Sequence, residues 1–122
     1  MMKSALMVKQ LTAADYDAFI REKQAAALHL DCIWDGYRQS LRETMQQAEE
    51  ELGDKVNFGE IDCDQNAELA RSLRVLNVPT VVYYSDGFPI AVLGGGRQNV
   101  RGRLERLLRG ETIGYKDGLD DV

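Results

Sequence analysis

A proline stands at the entrance of the most strand-like segment of this chain. Pro79 precedes residues 80–84, a run of β-branched and aromatic residues typical of a buried strand. Because proline cannot donate to a sheet ladder, it is confined to sheet edges or to the first position of a strand. Asp86-Gly87 follows, a strong hairpin signal, and predicts that the apolar run 89–93 pairs back onto residues 80–85. The chain must therefore build a sheet that ends in an antiparallel hairpin.

Upstream of the hairpin, strand-like runs alternate with helical patterns. Residues 25–33 are mostly apolar, which indicates a buried parallel strand, and residues 55–62 alternate as a strand does. Helical patterns follow Thr12, Gly36, Asn66 and, after the hairpin, Asn99. The predicted order is βαβαβαββα, and the expected fold class is α/β.

Length and charge limit the classes of function. A chain of 122 residues forms one domain, and its net charge of -5 leaves no basic surplus to neutralise nucleic-acid phosphates. No apolar run is long enough to span a bilayer, and two cysteines do not make a disulfide framework. We therefore expect a cytoplasmic protein that binds neither nucleic acid nor membrane.

From about Val8 to Gly110 the chain resembles the thioredoxin family. Trp34 matches the tryptophan before the family's Cys-Gly-Pro-Cys motif, and it lies 45 residues ahead of Pro79, which matches the family's cis-proline. The resemblance implies a thioredoxin fold with a central mixed five-stranded sheet flanked by helices on both faces. Residues 1–110 would form this domain, and residues 111–122 an acidic C-terminal tail.

In this alignment the family's redox tetrapeptide is replaced by Asp35-Gly36-Tyr37-Arg38. Thiol–disulfide exchange needs an attacking thiolate and a second, resolving thiol, and neither a carboxylate nor a guanidinium can replace them. The resemblance thus implies a redox-inactive relative rather than a dithiol enzyme. The glycine run 94–96 lacks the lysine and hydroxyl residue of a phosphate loop, so we expect no cofactor.

The resemblance also implies a surface for a partner. In thioredoxins an extended peptide pairs with the backbone beside the cis-proline, a form of β-strand addition. The leading hypothesis is therefore a binding module, acting as adaptor, chaperone-type protein or assembly subunit, with an extended peptide or protein partner. An alternative role for Trp34 is to pack over the end of the sheet. The residues expected at this surface are Trp34, Asp35, Gly36, Tyr37, Arg38, Asn77, Val78, Pro79 and Gly95.

Two polar residues occupy positions that the family reserves for a buried acid–base pair. His29 stands where the family keeps a buried aspartate, and Glu60 where it keeps the lysine facing that aspartate. We interpret them as a structural buried pair in which each side chain offsets the desolvation of the other. The alternative is a proton relay.

Cys32 and Cys63 are 31 residues apart, as are His29 and Glu60. If the latter are neighbours on adjacent parallel strands, the two cysteines are expected near each other at the carboxyl ends of those strands. We interpret them as inert thiols that behave as small hydrophobes, and as a poor metal site. The alternative is a thiol–disulfide oxidoreductase that uses Cys32 and Cys63.

The C-terminal tail shows no helical or strand period, which predicts a loose acidic segment. The alternative is that Ile113, Tyr115 and Leu119 dock in a groove on this molecule or on a partner. A basic cluster around the last helix is predicted to be a solvated face. A third hypothesis is that the tail and the basic helix form a contact between subunits of an oligomer. The sequence leaves the oligomeric state open. The cluster comprises Arg97, Arg101, Arg103, Arg106 and Arg109.

Overall fold

The computed structural model describes residues 8–32, 36–75 and 77–120. Five strands form one sheet in the order β1-β3-β2-β4-β5. The strands are β1 (Lys9–Gln10), β2 (Ala25–Asp31), β3 (Val56–Asp62), β4 (Thr80–Ser85) and β5 (Phe88–Gly94). A 3-10 turn (Ala13–Asp15) precedes the helices α1 (Tyr16–Arg21), α2 (Arg38–Leu52), α3 (Ala67–Ser72) and α4 (Val100–Leu108).

The sheet is mixed, as predicted. β3 pairs in parallel with β1 and with β2, whereas β4 pairs antiparallel with β2 and with β5. The register places His29 of β2 opposite Glu60 of β3 on one side and opposite Val81 of β4 on the other. The carboxyl ends of β2 and β3 therefore meet the beginning of β4, where Pro79 lies.

Helices cover both faces of the sheet. The apolar residues of α2 and α4 form one core cluster with alternate residues of the strands, and those of α1 and α3 form the second. All seven residues of β2 are buried, which explains why five of them are apolar, with His29 and Asp31 as the two polar exceptions. The α/β class and the helices on both faces, as predicted, are confirmed.

Among the described residues, no helix combines the length and apolar character needed to cross a membrane.

The prediction of a loose C-terminal tail is wrong for the part of the tail that the structure describes. Ile113 packs against the core cluster under α2 and α4. The hydroxyl of Tyr115 accepts a hydrogen bond of 2.7 Å from the backbone N–H of Gly94. The carboxylate of Asp120 accepts one of 2.7 Å from the N–H of Asn99, whose side chain donates to the carbonyl of Leu119. The segment 111–120 is thus docked on its own domain.

Arg103 explains why the tail docks. Its side chain, from α4, is only 1% exposed, and its guanidinium donates to the carboxylates of Asp117 and Asp120 over distances of 2.9–3.2 Å. A buried guanidinium requires such partners, because an unpaired charge costs several kcal/mol, ~3–5, in the protein interior. The prediction that the basic cluster is a solvated face is therefore wrong for Arg103, although Arg101 does lie at the surface.

Candidate functional site

Two loops meet at the end of the sheet where the sequence resemblance predicts a partner surface. The Val78–Pro79 peptide bond is cis, and the carbonyl of Pro79 accepts a hydrogen bond of 3.0 Å from the N–H of Gly95. Gly95 has φ of +123°, a conformation open to glycine alone without strain. The cis-proline loop and the loop after β5 are thereby joined, with Asn77 and Gly95 exposed and Pro79 buried.

Tyr37 lies at the start of α2 and contacts the same loop. Its ring packs so closely on Gly96 that any Cβ at that position would collide with it. Even so, 52% of the Tyr37 side chain is exposed. Tyr37, Gly95 and Pro79, predicted together from sequence, are thus brought together. Trp34 and Asp35, predicted for the same surface, lie outside the described residues.

Arg38 points to the interior rather than to the surface. Its Nη2 lies 3.3 Å from Oε2 of Glu60, and its side chain is 19% exposed. The position that the alignment equates with the family's resolving thiol is therefore filled by a cation held against a buried carboxylate. Arg38 connects the turn that carries Tyr37 to the sheet beneath it.

The side chain of Glu60 receives hydrogen bonds from two elements of the fold, α2 and β1. Arg42 of α2 donates twice, from Nε over 2.7 Å and from Nη2 over 2.6 Å, and Gln10 of β1 donates over 2.9 Å. Burial alone would raise the pKa of this carboxyl, which is 2% exposed, but the contacts with Arg42, His29 and Gln10 outweigh that effect. They hold the pKa of Glu60 well below its ordinary value of 4.5.

His29 is fully buried between two carboxylates. Its Nε2 lies 2.8 Å from Asp31 Oδ2, and its Nδ1 lies 3.4 Å from Glu60 Oε1. Burial lowers the pKa of His29, but the contacts with Asp31 and Glu60 reverse that effect and raise it above the ordinary value. His29 and Glu60 are neighbours, as predicted. The shorter contact of His29 is nevertheless with Asp31, and the shortest hydrogen bonds of Glu60 are with Arg42.

Asp31, Arg42 and Gln10 form one network with His29, Arg38 and Glu60, and we call these six residues the Glu60 cluster. Sequence reasoning did not identify Asp31, Arg42 and Gln10 as members of it. The sequence did contain a signal for Asp31, because residues two apart on a strand share one face and Asp31 follows His29 by two residues. Arg42 follows Arg38 by four residues, so both project from one face of α2. Gln10 had no signal in the sequence. The charged groups of the cluster pair with one another, as a structural role requires, but among the described residues Nδ1 of His29 and Nε of Arg38 are buried without a hydrogen-bond partner.

The two cysteines follow β2 and β3, as predicted. The N–H of Cys63 donates to the carbonyl of Asp31 over 2.8 Å, which places the two segments side by side, and no disulfide joins Cys32 to Cys63. Cys32 is 1% exposed. Burial first, and then the Cys32 thiol and the Asp31 carboxylate, raise the pKa of Cys63 to about 11. At neutral pH Cys63 is therefore a thiol and not the thiolate that exchange chemistry needs.

No cluster of three or more histidine, cysteine or acidic side chains among the described residues could hold a metal ion.

Comparisons with known proteins agree with this geometry. The family model named Thioredoxin matches residues 7–106. The thioredoxin of Bacillus subtilis is 32% identical over 54 residues, which are 44% of this chain and 52% of that relative, so the match spans about half of its length.

Solved thioredoxin structures share the fold. A mutant thioredoxin from Halobacterium salinarum has a TM-score of 0.74 at 21% identity, covering 93% of this chain and 97% of its own. Oxidised mitochondrial thioredoxin 3 from Saccharomyces cerevisiae has a TM-score of 0.73 at 20% identity, covering 88% and 99%. The oxidised thioredoxin of Plasmodium falciparum has a TM-score of 0.69 at 18% identity, covering 84% and 96%. With the family model covering most of its length, this chain belongs to the thioredoxin family.

Proposed function

We propose that this protein is a redox-inactive member of the thioredoxin family that binds an extended segment of a protein partner. The observation that carries the proposal is the position of Arg38, which stands where the alignment places the resolving thiol and bonds to buried Glu60. A guanidinium fixed there cannot resolve a mixed disulfide. The roles that suit such a module are adaptor, chaperone-type protein or assembly subunit.

The partner surface that we propose is the junction of the two loops with the start of α2. The described residues that contribute are Gly36, Tyr37, Asn77, Val78 and Gly95. The exposed ring of Tyr37 supports this proposal, because a tyrosine offers a large contact area and loses little conformational freedom on binding. The glycine at position 95 leaves the backbone accessible beside Pro79, since nothing lies within 4 Å of where its Cβ would be.

Peptide display tests this surface without knowledge of the natural partner. Peptides selected against the wild-type protein from a random library are expected to bind the Tyr37→Ala variant at least about tenfold more weakly, as is typical for the loss of an aromatic anchor. Affinities are measured by isothermal titration calorimetry. The matched control is Phe88→Ala, which removes another exposed aromatic ring (68% exposed) from the opposite end of β5 and should leave binding unchanged.

Equal affinities for the wild-type and Tyr37→Ala proteins would contradict the proposed site. So would a larger loss with Phe88→Ala than with Tyr37→Ala.

A further inference from the structure

A cavity of about 360 Å³ lies next to the proposed partner surface. It is bounded by α2, by the loop between β5 and α4, and by the docked C-terminal segment. Gly96 belongs both to the cavity wall and to the contact with Tyr37, so the two features are continuous. Other lining residues are Ser40, Thr44, Arg97, Asn99 and Asp120.

The side-chain oxygens of Asp120 and Asn99, which line this cavity, already accept hydrogen bonds within the protein. Asp120 accepts from the N–H of Asn99 and from both terminal nitrogens of Arg103, a buried guanidinium that it shares with Asp117. The side-chain oxygen of Asn99 accepts from the N–H of Gly102. The hydroxyl of Thr44 donates to the carbonyl of Ser40.

Two exposed side chains of the lining, Arg97 and Ser40, can donate hydrogen bonds to a ligand. Arg97 is exposed, and among the described residues no carboxylate forms an ion pair with it. The hydroxyl of Ser40, from the first turn of α2, is also exposed. A guanidinium beside a hydroxyl suits a carboxylate, which accepts from both in charge-assisted hydrogen bonds.

From this arrangement we infer that the cavity binds an acidic side chain of the partner, and that the partner is an extended segment carrying aspartate or glutamate. The inference rests on the proposed function and assigns the chemistry of its ligand. The C-terminal segment then contributes directly to recognition, because Asp120 and Leu119 complete the wall of the cavity. This preference runs against the overall net charge of -5 and must come from local contacts rather than long-range attraction.

Three capped peptides that differ only in charge test the inference. They alternate threonine with glutamate, glutamine or lysine, and binding is followed through the backbone amide NMR signals of Gly96, Arg97 and Asn99. The glutamate peptide is expected to shift these signals and to bind about tenfold more tightly than the glutamine peptide. Arg97→Ala should remove that difference. Arg101→Ala, which deletes a surface arginine of α4 already paired with Glu51, should preserve it.

Each other outcome has a distinct meaning. Equal binding of the three peptides, with a loss in Tyr37→Ala, would overturn the acidic preference and leave the partner surface standing. Preferential glutamate binding that Arg97→Ala abolishes and Tyr37→Ala leaves unchanged would support the cavity but contradict the proposed function. Absence of shifts with the glutamate peptide, or a preference that survives Arg97→Ala, would overturn the inference.

Discussion

Replacement of Glu60 by alanine is expected to lower the free energy of unfolding by about 3–5 kcal/mol, because it leaves the mostly buried guanidinium of Arg38 without its carboxylate. Arg42 is partly exposed and can turn toward water, but Arg38 is mostly buried, and the fully buried His29 keeps only its contact with Asp31. Gln10 also loses its acceptor. For a domain of this size the expected fall in melting temperature is about 12–20 °C. Thermal and urea unfolding followed by circular dichroism measure it.

Glu51→Ala is the matched control. Glu51 pairs with Arg101 at 2.7 Å, but both side chains are 55% exposed. Surface pairs of this kind contribute only about 0–1 kcal/mol. A melting temperature that Glu60→Ala leaves unchanged, or that falls no more than in Glu51→Ala, would refute the structural role of the Glu60 cluster.

The Glu60 cluster should also give the stability a characteristic dependence on pH. The pKa of Glu60 is depressed in the folded state, so its contribution is present above about 4.5 and is lost as the pH falls below that value. The pKa of His29 is raised, so its contribution is complete below about 6.5 and is lost as the pH rises through the folded-state pKa. The stability difference between wild type and Glu60→Gln is therefore expected to be largest between about pH 4.5 and 6.5. A difference that does not vary with pH would contradict this assignment.

Replacement of Arg103 by alanine is expected to release the C-terminal segment and to destabilise the domain by about 2–4 kcal/mol. The change deletes all four hydrogen bonds between Arg103 and the carboxylates of Asp117 and Asp120. The expected loss is smaller than for a rigid buried pair, because the two carboxylates can move into water once the segment undocks. Unfolding experiments give the loss in stability, and limited trypsin digestion reports undocking through cleavage after Lys116.

The cleavage rate after Lys116 should rise at least about tenfold in Arg103→Ala, since proteolysis follows the population of the open form. Arg101→Ala is the control, from the same helix but with an exposed ion pair, and its rate should match that of the wild type. Equal rates in all three proteins would show that Arg103 does not hold the segment.

Much of the fold could be predicted because its signals are local and periodic. The mostly apolar run of β2, the hairpin at Asp86-Gly87 and the capping residue Asn99 each mark an element that the structure contains. The equal spacing of His29–Glu60 and Cys32–Cys63 predicted which residues lie side by side on β2 and β3. Paired residues of two parallel strands keep a constant separation in sequence, so one correctly predicted pair sets the register of β2 and β3.

The tail was mispredicted because its contacts are long-range and polar. Asp117 and Asp120 lie in a segment without helical or strand periodicity, so the sequence predicts solvated acidic residues there. Their partner Arg103 is predicted to be one of several exposed arginines. One local signal did exist. Arg103 falls on the apolar stripe of α4 with Val100, Leu104 and Leu107, all of them buried, and a charged residue on such a stripe requires a partner.

The central claim, that dithiol chemistry is absent, is tested most directly by the reduction of insulin with dithiothreitol. We expect insulin to be reduced at the uncatalysed background rate in the presence of the protein. The Cys32→Ser and Cys63→Ser variants should give the same rate as the wild type. A rate above background that disappears in Cys32→Ser would contradict the claim and identify the protein as a thiol oxidoreductase.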